Sequence, residues 1–202
     1  MELWAMRQER RLTEQEQAYL LNRLPPERRA RLERLRRPEK WDEALCAYGL
    51  LTLALRERWG WEELPAVTLT ERGKPYFSEY PEVHFSLSHT EGAVLVGVAE
   101  RPIGVDIEKV RPVSRRMLEQ IGAETPEAFF RSWVRREARG KRSGAGIGPM
   151  VRRELPQSAG ETYVPLELFP GYAAGVALTG SADTPKVHLR TLEDLLREKV
   201  LK

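Results

Sequence analysis

Two acidic side chains stand two residues apart in the run Gly104-Val105-Asp106-Ile107-Glu108. If this run is a strand, Val105 and Ile107 face one side while Asp106 and Glu108 face the other, with origins about 6–7 Å apart. Neighbouring carboxylates repel each other, and a divalent cation that prefers oxygen ligands, such as Mg²⁺, would hold them together. The alternative is a half-exposed strand whose solvent-facing side carries acidic residues that bind no ligand.

A third carboxylate lies on a predicted helix further along the chain. Trp133, Glu137 and Lys141 recur at i, i+4 and i+8 and therefore form one stripe on that helix. A simple ion pair between Glu137 and Lys141 would account for the spacing, and such a surface pair contributes only about 0.3–0.5 kcal/mol. If the helix instead packs across the acidic strand, Glu137 would complete a metal site with Asp106 and Glu108.

Basic and polar residues supply candidate anion contacts. Ser88 and His89 end a predicted strand, where His89 could contact phosphate or act as a base, although a lone loop histidine commonly does neither. A turn around Lys74 presents cations on a stiff backbone. One short segment is crowded with arginines, which suits a solvated surface, a polyphosphate ligand or an acidic protein; it contains Arg28, Arg29, Arg31, Arg34, Arg36 and Arg37.

The periodicity around these residues predicts mixed helices and strands. Thr13 with Glu16 forms a capping box for a helix that ends near Leu24, and Thr125 followed by Pro126 opens the helix that carries Glu137. Further helices are predicted over 27–37, 42–59, 114–121 and 191–201. Strands are predicted over 1–7, 67–70, 84–88, 93–99, 103–110, 150–155, 163–168, 172–178 and 187–190.

Composition excludes several classes of protein. The 202 residues are 41% hydrophobic and 31% charged, as in an ordinary globular protein rather than a disordered or fibrous one. The single cysteine, Cys46, excludes an intramolecular disulfide and a multi-cysteine zinc site. The longest uncharged run, 168–182, is broken by Pro170 and three glycines, so no transmembrane helix is expected, and charge interrupts the N-terminus before a signal-like core. We expect a cytoplasmic protein.

The formal net charge of +3 conceals two basic segments. Residues 23–37 hold seven arginines against two glutamates, and residues 131–142 hold six cations against Glu137. The average is too small to indicate nucleic-acid binding, whereas two local basic patches fit a phosphate-rich ligand and an acidic partner.

Taken in order, the motifs resemble one family of enzymes. Gly73-Lys74-Pro75-Tyr76, then residues 85–89 (Phe-Ser-Leu-Ser-His), then Gly-x-Asp-x-Glu at 104–108 and Trp-x-x-x-Glu-Ala-x-x-Lys at 133–141 are similar to the motifs of the 4′-phosphopantetheinyl transferases of the longer Sfp type. The resemblance spans about residues 24–178. It implies an α+β fold of two similar lobes, 1–102 and 103–202, each a small antiparallel sheet packed on helices, with the active site in the cleft between them.

The resemblance also implies roles for individual residues. Such an enzyme moves the phosphopantetheine of coenzyme A, its co-substrate, onto a serine of an apo acyl or peptidyl carrier protein and releases adenosine 3′,5′-bisphosphate. Asp106, Glu108 and Glu137 match the Mg²⁺ ligands, Glu137 also matches the residue that takes the serine proton, and Lys141 matches the lysine at the transferred phosphate. The residues that match coenzyme A contacts are Arg28, Arg31, Lys74, Ser88 and His89. We expect a monomer without nucleic-acid or membrane partners.

Two positions depart from the family pattern. Arg136 replaces the usual lysine before the motif glutamate, which keeps the charge, and Leu45 stands where relatives often carry an arginine. Lys40 or Arg36 could supply the missing cation. Two other readings remain: a non-catalytic basic binding module, and a different metal-dependent phosphoryl or nucleotidyl transferase.

Overall fold

The structure, a computed structural model, describes residues 1–35, 37–146, 148, 154, 156–180 and 184–197. Within these residues, one strand and three helices precede five consecutive strands, and two helices, three strands and a short helix follow. The strands are β1 (Glu2–Arg7), β2 (Val67–Leu69), β3 (Pro75–Phe77), β4 (His84–Thr90), β5 (Ala93–Ala99), β6 (Ile103–Lys109), β7 (Glu161–Leu166), β8 (Tyr172–Thr179) and β9 (Lys186–Arg190). The helices are α1 (Glu14–Asn22), α2 (Pro26–Leu32), α3 (Pro38–Trp59), α4 (Arg115–Ile121), α5 (Pro126–Ser143) and α6 (Leu192–Leu196).

The helix start and stop signals act as the sequence indicates. Thr13 and Glu16 form the predicted capping box at the start of α1, and the Thr125 hydroxyl accepts the Ala128 amide at the start of α5. Gly144, with φ of 73°, ends α5 in the left-handed conformation that glycine adopts without steric penalty. The predicted helix over 42–59 begins earlier, at Pro38, because a proline is well accommodated in the first turn.

The larger sheet has the order β4-β5-β1-β9, with α3 packed on it. Its core is aliphatic and aromatic, with Trp4, Leu50 and Phe85 almost fully buried. β1 pairs antiparallel with β5, while β9 joins β1 in parallel, and Trp4 lies opposite His188 in that pairing. The aromatic ring of Trp4 stacks on the His188 imidazole at 4.7 Å.

Apart from the short two-stranded sheet of β2 and β3, the smaller sheet has the order β6-β8-β7 and is antiparallel throughout. In it Asp106 lies opposite Gly175. Helix α5 lies across β6 and β8, and its apolar face packs there through Phe130, Val134 and Ala138. β4 and β6 are the edges at which the larger and smaller sheets meet.

The α+β class and the small sheets packed on helices are confirmed. Two similar lobes, a cleft between them and the division at residue 102 stay predictions, although β9 and α6, from the predicted second lobe, join the larger sheet and pack on α3. The predicted strand over 150–155 lies outside the described residues. Among the described residues, no helix is both long enough and apolar enough to span a bilayer.

Candidate active site

Side-chain hydroxyls bridge the edges of the two sheets. Every second residue of β4 turns a hydroxyl toward β6, and the backbone amides of β6 on that side donate to these hydroxyls instead of to a neighbouring strand. The amide-to-hydroxyl pairs are Val105 to Ser86 at 3.0 Å, Ile107 to Ser88 at 3.2 Å and Lys109 to Thr90 at 3.5 Å. We call these three hydroxyls the hydroxyl seam.

The hydroxyl seam also holds the two carboxylates of β6. Ser88 donates to Asp106 Oδ1 at 2.7 Å, and Thr90 donates to Glu108 Oε2 at 3.1 Å. Arg111 donates to the same Glu108 oxygen at 3.1 Å. The predicted common face of Asp106 and Glu108 is therefore present, and it is oriented by β4.

Gly104 permits α5 to lie directly on β6. A Cβ at this position would overlap the carbonyl oxygen of Ala138 and the amide nitrogen of Arg142. Because the clashing atoms are backbone, no side-chain rotation could relieve the overlap. The glycine of the Gly-x-Asp-x-Glu motif thus sets the distance at which Glu137 and Lys141 approach the acidic strand.

The approach of α5 produces one direct contact with the acidic strand. The Lys141 ammonium donates to Asp106 Oδ1 at 2.7 Å, the oxygen that Ser88 also contacts. The other oxygen, Oδ2, is buried and has no hydrogen-bond partner among the described residues. A buried carboxylate oxygen without a donor is costly, so this atom is a candidate ligand position.

Burial raises the pKa of Glu137 above its ordinary value, and the charges of Asp106 and Glu108 raise it further. The Lys141 ammonium opposes these effects. The three carboxylates therefore interact electrostatically, as expected for like charges in a partly buried site.

The site offers carboxylate oxygens, the type of donor that a divalent cation such as Mg²⁺ prefers. Asp106 and Glu108 share one strand face, Glu137 lies on the helix above, and Asp106 Oδ2 lacks a partner. Within the described part of the chain, however, no three His, Cys, Asp or Glu side chains are gathered closely enough to hold one ion. Lys141 and Arg111 are the cations that contact Asp106 and Glu108 in this arrangement.

A cavity of about 250 Å³ reaches Lys141; most of its surface is apolar, and three cationic residues are among those that line it. Arg72, Lys74 and Lys141 lie on its wall with Ser86 and Gly140. Burial, together with the nearby charge of Arg142, lowers the pKa of Lys74 to about 8. The Lys74 ammonium donates to the carbonyl oxygen of Arg142 at 2.6 Å, near the end of α5, so it has no carboxylate partner there.

The other predicted coenzyme contacts lie away from this cavity. Arg28 is buried, and its guanidinium donates to the Val67 carbonyl at 2.8 Å and to the Tyr48 hydroxyl at 3.3 Å. Arg31 is exposed on α2. The structure therefore brings Lys74 and Lys141 together at the cavity, with Ser88 turned toward Asp106, but does not bring Arg28 to it.

His89 faces α3 rather than the acidic strand. Its Nδ1 lies 2.9 Å from Glu43 Oε2, which also accepts from the Lys40 ammonium at 2.7 Å. Lys40, a candidate replacement for the arginine missing at Leu45, is thus held by Glu43, and Leu45 itself is fully buried. The other candidate, Arg36, lies outside the described residues.

Sequence reasoning missed Thr90 and Arg111, which both contact Glu108. The alternation of hydroxyls at Ser86, Ser88 and Thr90 was a usable signal, since residues two apart on a strand share a face. Nothing comparable marks Arg111, whose guanidinium lies 4.8 Å from the centre of the Phe130 ring on α5.

No family model matches the chain. Comparison with curated proteins does find relatives. The chain is 24% identical to the 4′-phosphopantetheinyl transferase Sfp of Bacillus subtilis (strain 168) over 97% of this chain and 100% of the relative. It is 31% identical to the 4′-phosphopantetheinyl transferase AcpT of Escherichia coli O157:H7 over 63% of this chain and 69% of the relative. It is 34% identical to AcpT of Salmonella typhi over 44% of this chain and 54% of the relative.

The first of these matches extends over nearly the full length of the chain, and the second exceeds 30% identity over more than two thirds of the relative. The chain therefore belongs to the Sfp-type family of 4′-phosphopantetheinyl transferases.

Proposed function

We propose that this transferase moves the 4′-phosphopantetheine group of coenzyme A to a serine hydroxyl of an apo acyl or peptidyl carrier protein. The serine oxygen forms a bond to the phosphorus nearest the pantetheine, the pyrophosphate P–O bond breaks, and adenosine 3′,5′-bisphosphate leaves. The observation that carries the proposal is the contact of Lys141 with Asp106 at 2.7 Å, beside Glu137 and at the wall of the cavity that Arg72 and Lys74 also line.

Asp106, Glu108 and Glu137 are the residues that would hold Mg²⁺. The partnerless Oδ2 of Asp106 supports this role, because it is a buried acceptor that the protein itself does not satisfy. A bound divalent cation would neutralise charge that develops on the phosphate oxygens.

Glu137 is the proposed acceptor of the serine proton. A general base is most effective when its pKa approaches the working pH, and burial raises the pKa of Glu137 in that direction. The like charges of Asp106 and Glu108 act in the same sense. Glu137 would therefore be a stronger base than an exposed glutamate.

Lys74 and Lys141 are the proposed contacts for the phosphate groups. Both residues line the cavity, and the acceptor that the described residues offer to the ammonium of half-buried Lys74 is a carbonyl oxygen. A phosphate oxygen would stabilise the charged form of Lys74, whose pKa burial holds at about 8. Lys141 would stabilise the negative charge on the leaving phosphate.

The basic segments support an acidic carrier protein as the second substrate. Residues 23–37 and 131–142 are strongly basic in a chain with a small net charge. Patches of one sign increase the rate at which an oppositely charged partner is encountered. We propose that a monomer acts on such a carrier.

Mass spectrometry of the carrier tests the function directly. The protein is incubated with coenzyme A, Mg²⁺ and several apo carriers of fatty-acid and peptide synthesis, and at least one carrier is expected to gain one phosphopantetheine. Glu137→Gln should lower the rate by at least about a hundredfold, the lower end for a general base, whereas Glu124→Gln, at an exposed position, should not.

Two results would refute parts of this proposal. No mass gain on any carrier would reject the transferase assignment in favour of a binding module. A Glu137→Gln rate within tenfold of the unsubstituted protein would remove Glu137 as the base.

A further inference from the structure

Lys141 stands at the boundary between two oppositely charged environments. Its ammonium contacts Asp106 Oδ1, and the residue also lines the cavity together with Lys74 and Arg72. The Asp106 side chain is 5% exposed and that of Lys141 is 30% exposed, so the lysine is the less enclosed member of the pair. An ammonium is a compact charge on a flexible stem, and it can change partners without a change in the backbone.

The contact with Lys141 opposes ligation of a cation by Asp106. The ammonium places a positive charge on the very carboxylate that a divalent cation would use, and like charges at such distances repel strongly in a partly buried site. Ser88 already donates to the same oxygen. A divalent cation therefore gains Asp106 as a ligand only at the cost of this ion pair.

The cavity offers Lys141 an alternative partner. Arg72 and Lys74 also line it, and no acidic side chain lines it within the part of the chain that the structure describes. An anion that binds there would attract Lys141 away from Asp106.

We propose that Lys141 is a resident counter-ion of Asp106 that competes with the divalent cation, and that an anionic phosphate ligand in the cavity relieves this competition. The proposal rests on the proposed function for the identity of the two ligands. By thermodynamic reciprocity, each ligand then strengthens binding of the other. Lys141 would thus weaken binding of the divalent cation to Asp106, Glu108 and Glu137 until the phosphate ligand binds.

Binding of Mn²⁺ alone to the whole protein tests the competition. Electron paramagnetic resonance reports free Mn²⁺ in titrations of the unsubstituted protein and of Lys141→Met. Removing the competing charge should tighten Mn²⁺ binding by at least about tenfold, as expected for loss of a direct charge contact. A lysine that merely supports the site predicts weaker binding.

Two control variants distinguish the effect of the direct contact with Asp106 from the effect of the protein's net charge. Lys141→Arg keeps the cation and should keep the weak affinity, while Arg131→Met removes an exposed charge from the same helix and should change the affinity less than threefold. Unchanged or weaker Mn²⁺ binding to Lys141→Met overturns the proposal. So does equal tightening in Arg131→Met.

A second measurement uses the unsubstituted protein in case Lys141→Met does not fold. Acylation of Lys141 by an amine-reactive reagent, followed by peptide mass spectrometry, should become faster when Mg²⁺ is added, because the ammonium loses its carboxylate partner. No change would overturn the proposal. The carrier mass assay stays independent: a carrier that gains phosphopantetheine while Mn²⁺ affinity is unchanged refutes only the competition, whereas no gain refutes the proposed function.

Discussion

Helix α5 makes ion pairs on two sides, and the carboxylates on the two sides differ in how fully their hydrogen bonding is satisfied. On one side, Lys141 meets Asp106, whose Oδ2 has no partner among the described residues. On the other, Arg139 donates to Glu161 at 2.6 Å, to Glu154 at 2.9 Å and to the Pro156 carbonyl at 2.9 Å. Both side chains of the Arg139–Glu161 pair are only 2% exposed.

This difference in hydrogen bonding distinguishes the side of α5 that anchors the helix from the side that can bind a ligand. Glu161 also accepts the Ser158 amide at 3.0 Å and Arg142 at 3.2 Å, so its acceptor capacity is used by the protein. A buried charge with complete hydrogen bonding resists disruption, while a buried carboxylate with a spare oxygen retains capacity for a ligand. We infer that the Arg139 side fixes α5 to β7 and that the Lys141 side is left available for reaction.

The largest effect on folding is expected from the anchoring side. Arg139→Met leaves Glu161 and Glu154 with fewer donors in a buried setting, and removal of one partner of such a pair costs about 3–5 kcal/mol of unfolding free energy. Urea denaturation measures this loss. Arg115→Met, which breaks an exposed pair with Glu119, should cost less than about 0.5 kcal/mol. Equal costs for the two variants would contradict the anchoring role.

On the Lys141 side of α5, a substitution should lower the rate of carrier modification much more than it lowers the unfolding free energy. Asp106→Asn keeps the shape and the Ser88 contact but removes the charge, so we expect the rate of carrier modification to fall by at least about a hundredfold, since a metal contributes several kcal/mol. Unfolding free energy should change by less than about 2 kcal/mol because the buried Oδ2 is already partnerless. A large loss of stability with little loss of rate would reverse the assignment of the two sides.

Removal of one hydroxyl from the hydroxyl seam should cause a smaller loss of unfolding free energy. Thr90→Val keeps the volume but removes the hydroxyl that donates to Glu108 and accepts from the Lys109 amide. Loss of a hydrogen bond to a charged group predicts a fall of about 1–2 kcal/mol in unfolding free energy. Thr90→Ser should recover most of it in the same denaturation experiment, and failure of serine to do so would show that the hydroxyl is not responsible.

The smallest expected effect is a contrast in pH dependence. Burial raises the pKa of Glu137, so its contribution to stability is present below pH 4.5 and is lost as pH rises through the raised value. Glu161 behaves oppositely: burial opposes the shift, but hydrogen bonds from Arg139 and the Ser158 amide lower its pKa. Its contribution is present above pH 4.5 and is lost as pH falls toward the lowered value.

Unfolding free energy measured from pH 3.5 to 7 in two variants tests this contrast. Relative to the unsubstituted protein, Glu137→Gln should gain stability as pH rises, and Glu161→Gln should lose it. Parallel curves for the two variants would contradict the opposite pKa shifts.

Much of the site follows from local sequence. The two-residue spacing of Asp106 and Glu108 places both on one face of a strand, and the four-residue spacing of Glu137 and Lys141 places both on one stripe of a helix, whatever surrounds them. Thr125 and Gly144 set the limits of α5 through their own hydrogen bonding and backbone freedom. These predictions depend only on residues a few positions apart in the sequence.

Other features of the structure depend on contacts between segments that are far apart in the sequence. The sequence identified Gly104 as part of a motif, but only tertiary packing shows that the backbone at Ala138 and Arg142 requires it to be glycine. Likewise, nothing near Arg28 indicates that its guanidinium turns inward to Val67, or that β9 joins β1 in parallel across most of the chain. Local spacing therefore determined which residues can do the chemistry. Long-range packing, which sets burial and hydrogen-bond partners, decided that Asp106 has an oxygen to spare and Glu161 does not.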